Sequence, residues 1–257
     1  MVFTTLSTSN NKQRAFVTRD LTLLRRNTAS LISMFVVPPL FLLCLVAVFG
    51  YSSDKIGFDY VGFILAGCLF QAAMFTAAAS SMAVAIDIDA GLVERVRVLP
   101  GSVGGFLVGR LITDAIRMAG STLTLFGTAW LCGLNMTWEK VGWTILWSMI
   151  IACALSLVTD GCVLWARRPV ELASVIQSLE MLLLMFSTAF IPATSVSGTL
   201  RDVVVHMPFS PLIGLIRTGN PTDLATKDAW EAFAWLVTIT ILGITLTIRR
   251  FSARRDS

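Results

Sequence analysis

The chain has 257 residues, of which 55% are hydrophobic and 14% charged, with a formal net charge of +4 and a mean hydropathy of +0.77. Soluble domains are usually about a quarter charged, so an ordinary water-soluble globule is excluded and the composition predicts a polytopic, all-α integral membrane protein. The basic excess does not indicate nucleic acid, because Arg and Lys flank apolar runs, which is how topology is encoded.

The N-terminal arm, residues 12–27, reads as an interfacial amphipathic helix. Val17, Leu21 and Leu24 fall on one face, while Lys12, Arg19 and Arg26 repeat every seven residues on another and Arg25 adds to the basic side. A solvated basic lead-in that only sets topology is the alternative. The first transmembrane helix is expected over 28–51, inside the uncharged run Asn27 to Ser53. That run exceeds the roughly 7–15 apolar residues of a signal peptide, so it is expected to be retained, with a kink at Pro38-Pro39. The second, 60–86, is rich in small residues (Ala66, Gly67, Ala72, Ala73, Ala77 to Ala79), which predicts close packing against protein rather than lipid.

Immediately after it comes Asp87-Ile-Asp89-Ala-Gly91-Leu-Val-Glu94-Arg95-Val-Arg97-Val-Leu-Pro100, densely charged next to an uncharged span. A short helix can run from Gly91 until Pro100 stops it, with Leu92, Val96 and Leu99 on one stripe and Glu94, Arg95 and Arg97 elsewhere. Such a helix can dock into a groove on a soluble partner; a solvated connecting loop is the bland alternative. Gly101, Gly105 and Gly109 follow in a small-xxx-small pattern.

Four more spans are expected at 113–134, 141–166, 172–191 and 232–248. Between the last two, residues 192–231 are too apolar for a wet loop and are broken by Pro208-Phe209-Ser210-Pro211. They predict short helices that re-enter the outer leaflet or cap a cavity. The arm, the loop after span two with the foot of span three, the loop after span four and the tail hold 15 of the 20 Lys and Arg residues. The positive-inside rule therefore puts both termini in the cytosol. The five cysteines lie in apolar stretches and read as small buried hydrophobes, and a lone His206 argues against a metal site.

Two acids fall inside spans, Asp160 and Glu180. Each costs roughly 2.5–3.5 kcal/mol at a helix centre and is functional by default. Asp160 is expected to be a structural acid neutralised by a basic residue near the cytosolic end of span three, with Arg117 the favoured partner, and Glu180 to face the pathway or a subunit seam. A proton-coupled secondary transporter or a membrane-embedded enzyme using these acids is the rival reading of the chain.

All four lysines follow Asn, Asp, Glu or Thr, so no P-loop exists, and neither GxSxG nor HExxH occurs. The layout resembles the permease subunits of ABC-2 type exporters, particularly the daunorubicin-resistance-like drug and lipid exporters. Two patches carry the resemblance. One is the series Asp87 or Asp89, Gly91, Glu94, Arg95, Arg97, Pro100. The other is the stretch from Ser187 to Pro192, followed by Pro208, Phe209, Pro211 and Arg217. The resemblance spans nearly the whole chain as a single transmembrane domain. It implies a dimer of six-span subunits in the cell membrane, identical or related. Each subunit is joined through residues 87–100 and the arm to a separate cytosolic ATPase. Pro192, Pro208, Phe209, Pro211 and Arg217 then belong to an outer gate, and lipids, glycolipids, polysaccharides or hydrophobic drugs are the substrates of relatives. ATP and Mg are implied on the partner, with no cofactor and no catalytic site in this chain.

Overall fold

The computed structural model describes residues 18, 22, 32, 35–54, 59–98, 102–190, 199–219 and 226–252. Val17, Leu21, Leu24, Arg25, Leu99, Pro100 and Pro192 lie outside the described residues, as do the side chains of Val96 and Arg97. The extended elements among the described residues are helices: α1 Val37–Asp54, α2 Tyr60–Asp89, α3 Leu92–Val98, α4 Ser102–Leu131, α5 Trp138–Leu164, α6 Pro169–Met185, α7 Thr199–His206, α8 Phe209–Thr218 and α9 Thr226–Ser252.

Local chemistry sets the boundaries. Pro38 and Pro39 fall in the first turn of α1, just after a turn at Val36 whose N–H bonds back to the Ile32 carbonyl, so the expected break in the first apolar run lies at this point. The Asp59 carboxylate accepts from the Gly62 N–H at 2.9 Å and caps α2. At the other end Gly91 adopts φ +69°, and its N–H donates to the Ile88 carbonyl at 2.9 Å. That left-handed residue ends α2 and turns the chain into α3. Pro169, likewise in a first turn, opens α6.

Among the described residues three helices, α2, α5 and α9, are long and apolar enough to cross a membrane. The helix expected from Thr113 begins instead at Ser102. Arg110, Asp114 and Arg117 do not interrupt it, because all three are buried against partners. The first and fifth expected spans correspond to shorter helices, α1 with 18 residues and α6 with 17.

Helix α2 is the hub of the bundle and packs against α1, α4, α5, α6 and α8. Its most apolar window is 89% buried, against 22% for α9, which rests chiefly on α5 and α8. Phe70, Ile64, Leu65, Leu69 and Met74 of α2 are fully buried. The α5 and α9 backbones approach closely at Gly161 and Gly243, where a Cβ on Gly243 would lie 2.6 Å from the Leu157 carbonyl carbon. All five cysteines are free, but only Cys68 is buried as expected; Cys132, Cys153 and Cys162 are half-buried, and Cys44 is exposed on α1. The α1 surface around it is apolar, so a small thiol facing lipid carries no penalty.

Candidate functional site

Toward the end of the bundle that carries α3, called inner by position in the bundle alone and the α8 end outer, polar side chains of α2, α4 and α5 converge. Arg110, Asp114 and Arg117 are spaced i, i+4, i+7 and therefore share one face of α4. Arg117 Nη1 donates to Asp114 Oδ1 at 3.1 Å, with both side chains almost fully buried. Arg110 Nη2 lies 3.8 Å from Asp87 Oδ2 and donates to the Ser80 carbonyl at 3.4 Å. From α2, Ser80 Oγ donates to Asp160 Oδ2 of α5 at 3.0 Å. Thr159, beside Asp160, turns its hydroxyl back to the Leu155 carbonyl at 3.0 Å.

This arrangement corrects the expected Asp160–Arg117 pair. Arg117 is claimed by Asp114, one turn away on its own helix, and Asp160 is met by a hydroxyl instead. The i, i+4, i+7 spacing on α4 was the signal that could have found Arg110 and Asp114. Nothing in the sequence singled out Ser80 among its small neighbours. Glu180 stands apart on α6, buried, with Oε2 lacking a hydrogen-bond partner.

Below the cluster, α3 lies across the inner helix ends. Among its described side chains Val93 is buried, joining Val84, Ala85, Phe106, Val163, Leu164, Ala173 and Phe251, with Leu92 half-buried beside it. Sequence reading placed Leu92 on the apolar stripe and passed over Val93, because seven residues are too few for the period to be read reliably. Glu94 and Arg95 are exposed. The two candidate acids at the start of this segment differ: Asp87 is buried against Arg110, whereas Asp89 is exposed.

At the outer half, α8 is not a surface cap. Leu212, Ile213, Leu215 and Ile216 are fully buried, and Phe209 stacks on Phe70 of α2 with ring centroids 5.0 Å apart. Pro208 precedes the helix, and Pro211 is buried in its first turn. An amphipathic helix this short stays inside the bundle because α2, α5 and α9 together cover it.

Arg217, in its last turn, lies 3.9 Å from the Phe63 ring centroid and donates from Nη2 to the Thr188 carbonyl at 2.7 Å. Ser210 Oγ accepts from the Thr188 N–H at 3.1 Å and donates to the Val204 carbonyl at 2.6 Å. The turn that ends α6 is thus clamped against α2. A Cβ on Gly67 would sit 2.5 Å from the Ala189 carbonyl oxygen, so only glycine lets the turn approach. On α5, Thr144 Oγ1 and Trp147 Nε1 donate to the carbonyls of Ile216 and Gly219 at 3.1 and 2.9 Å, holding the far end of α8. Arg217, Pro208, Phe209 and Pro211 therefore come together in one outer assembly.

A bundle with polar contacts at both ends and a short helix across its inner face suits a transporter subunit. Residues 13–219 match the model of the ABC-2 type transporter family. The chain belongs to the ABC-2 type transporter family. Among its relatives, the protein named "Probable doxorubicin resistance ABC transporter permease protein DrrC" from Mycobacterium tuberculosis CDC 1551 / Oshkosh is 27% identical over 228 residues, covering 83% of this chain and 81% of the relative. The protein of the same name from strain H37Rv matches to the same extent. As an ABC-2 family member the chain is a membrane-spanning transporter component. The match includes α3 and α8 and ends at Gly219, before α9.

Proposed function

We propose that this chain is the permease subunit of an ATP-driven exporter that moves an amphipathic, hydrophobic or lipid-like substrate out of the cell. Family membership over residues 13–219 is the observation that carries the reading. In this proposal α1, α2, α4, α5, α6 and α9 are the six spans, both termini are cytosolic and the membrane is the plasma membrane. A second permease subunit completes the pathway. A separate ATPase holds ATP and Mg, and this chain is non-catalytic. The relatives named for doxorubicin resistance support a hydrophobic, amphipathic substrate class.

The ATPase is proposed to meet α3. Its apolar edge is anchored by Val93, while Glu94 and Arg95 stay exposed at the inner end, where directional charge contacts with a partner can form. Truncating one member of a desolvated charge pair costs about 2–5 kcal/mol, whereas a solvated loop charge costs almost nothing. A tagged chain expressed with its candidate ATPase should copurify with it. Glu94→Ala and Arg95→Ala, made separately, should reduce copurification or uncouple ATP hydrolysis from export while the permease remains folded. Normal binding and wild-type export in both variants would exclude α3 as the contact.

A further inference from the structure

The inner cluster leaves one carboxylate without an ion-pair partner. Asp160 is 7% exposed, its Oδ2 accepts from Ser80, and its Oδ1 has no hydrogen-bond partner. Among the described residues the neighbouring guanidiniums bond elsewhere, Arg117 to Asp114 and Arg110 to Asp87 and the Ser80 carbonyl. Two more buried oxygens at this level, Asp114 Oδ2 and Ser156 Oγ, are also unpartnered although the two side chains are neighbours. An ionised carboxylate removed from water and left without a bonded countercharge is so costly that the group takes up a proton instead.

A metal ion is the poorer occupant, because it would need several oxygens at once and would sit against Arg110 and Arg117. A proton needs one oxygen, and it converts the orphaned acceptor at Oδ1 into a donor. We propose that Asp160 is a proton-binding site, occupied while α2, α4 and α5 are packed as described and emptied when they part and water reaches the carboxylate. The proton leaves as hydronium to that water, and no other group is consumed.

The charged and titratable groups that act on Asp160 come from two helices besides its own. From α4 these are Arg110, Arg117 and Asp114. From α2, Ser80 donates to it and Asp87 is bonded to Arg110. On α5 itself, Cys153 lies nearer to Asp114. Helix α9, on the far side of α5, presents Thr247, whose hydroxyl is used by the Gly243 carbonyl. Glu180 of α6 and Arg217 of α8 are not among the groups that act on Asp160.

The site is read without any transport assay, so its failure and the failure of the ATP-driven reading are separate outcomes. Infrared difference spectra of the purified full chain in lipid nanodiscs, titrated across neutral pH, should show a protonated carboxyl C=O band. Isotope-labelled aspartate should shift that band, distinguishing it from Glu180, and Asp160→Asn should abolish it. Asp114→Asn frees Arg117 beside Asp160, so the proton affinity of the remaining band should fall at least about tenfold. Unchanged intrinsic tryptophan fluorescence would establish that both variants are folded, and the isotope shift in the wild-type protein needs no variant. Absence of any labelled-aspartate band overturns the site. A band that survives Asp160→Asn moves the proton elsewhere and overturns the assignment. Loss of the band when sodium replaces choline at constant pH overturns the proton in favour of a metal cation.

Discussion

At the inner end, full charges are paired away from water, Arg117 with Asp114 along α4 and Arg110 of α4 with Asp87 of α2. At the outer end, α2, α5 and α8 meet through side chains that bond backbone carbonyls: Thr144 to Ile216, Trp147 to Gly219 and Arg217 to Thr188. The difference matters because a carbonyl that loses its donor loses one bond, whereas a buried carboxylate that loses its guanidinium becomes an uncompensated charge. The inner end is therefore the one more sensitive to loss of a single side chain. The outer end is knit more evenly, through shape and backbone bonds.

The largest effect should follow Arg117→Ala, which strands Asp114 in a site that is 1% exposed. Breaking a buried pair from one side costs about 3–5 kcal/mol, and thermal unfolding in detergent should register it. Adding Asp114→Ala should recover much of the loss; no recovery would mean that packing, not charge, holds the inner end. Gly67→Val tests the outer end, where the added side chain meets the Ala189 carbonyl. Overpacking there should cost about 1–3 kcal/mol by the same measurement. A loss as large as that of Arg117→Ala would erase the contrast between the two ends.

Gly91→Ala should cost about 1–2 kcal/mol, since the position has a left-handed φ but open space around it. Its signature should be selective, with hydrogen exchange rising in α3 and not in α8. The smallest effect belongs to Arg168→Ala. Its bond to Glu171 is 3.2 Å long, but the two side chains are 78% and 66% exposed. Solvent screening leaves such a pair at most about 1 kcal/mol, so the unfolding temperature should barely move.

Much of the all-helical architecture is legible in the sequence because uncharged runs and their basic flanks are one-dimensional signals. The run Tyr60 to Ile86 and its crowd of small residues mark a buried helix, and α2 is the hub. What was not legible is which helix faces which. Arg117 and Asp160 were recognisable as a buried cation and acid, yet Arg117 bonds to Asp114, its i−3 neighbour on α4, and Asp160 is left to Ser80 of α2. Likewise the apolar content of Phe209 to Ile216 fits an interfacial helix as well as a buried one. Only the covering by α2, α5 and α9 decides between them. Val93 escaped notice because one short helix gives too few turns to choose between adjacent apolar residues.

The meeting of α5 and α9 at Gly161 and Gly243 bears on how the chain is put together. A helix-by-helix assembly brings α9 last among the described elements, and it arrives at a bundle whose hub is already enclosed. At this seam Gly243 meets the backbone of Leu157 and Val158, while Gly161 makes room for the Leu246 side chain, so α9 seats only where both glycines leave space. The same arrival covers the side of α8 that α2 and α5 leave open. Biogenesis thus turns on one glycine seam: an enlarged residue at Gly243 would leave α9 inserted in the lipid yet undocked, and with it an outer helix that never finds its place.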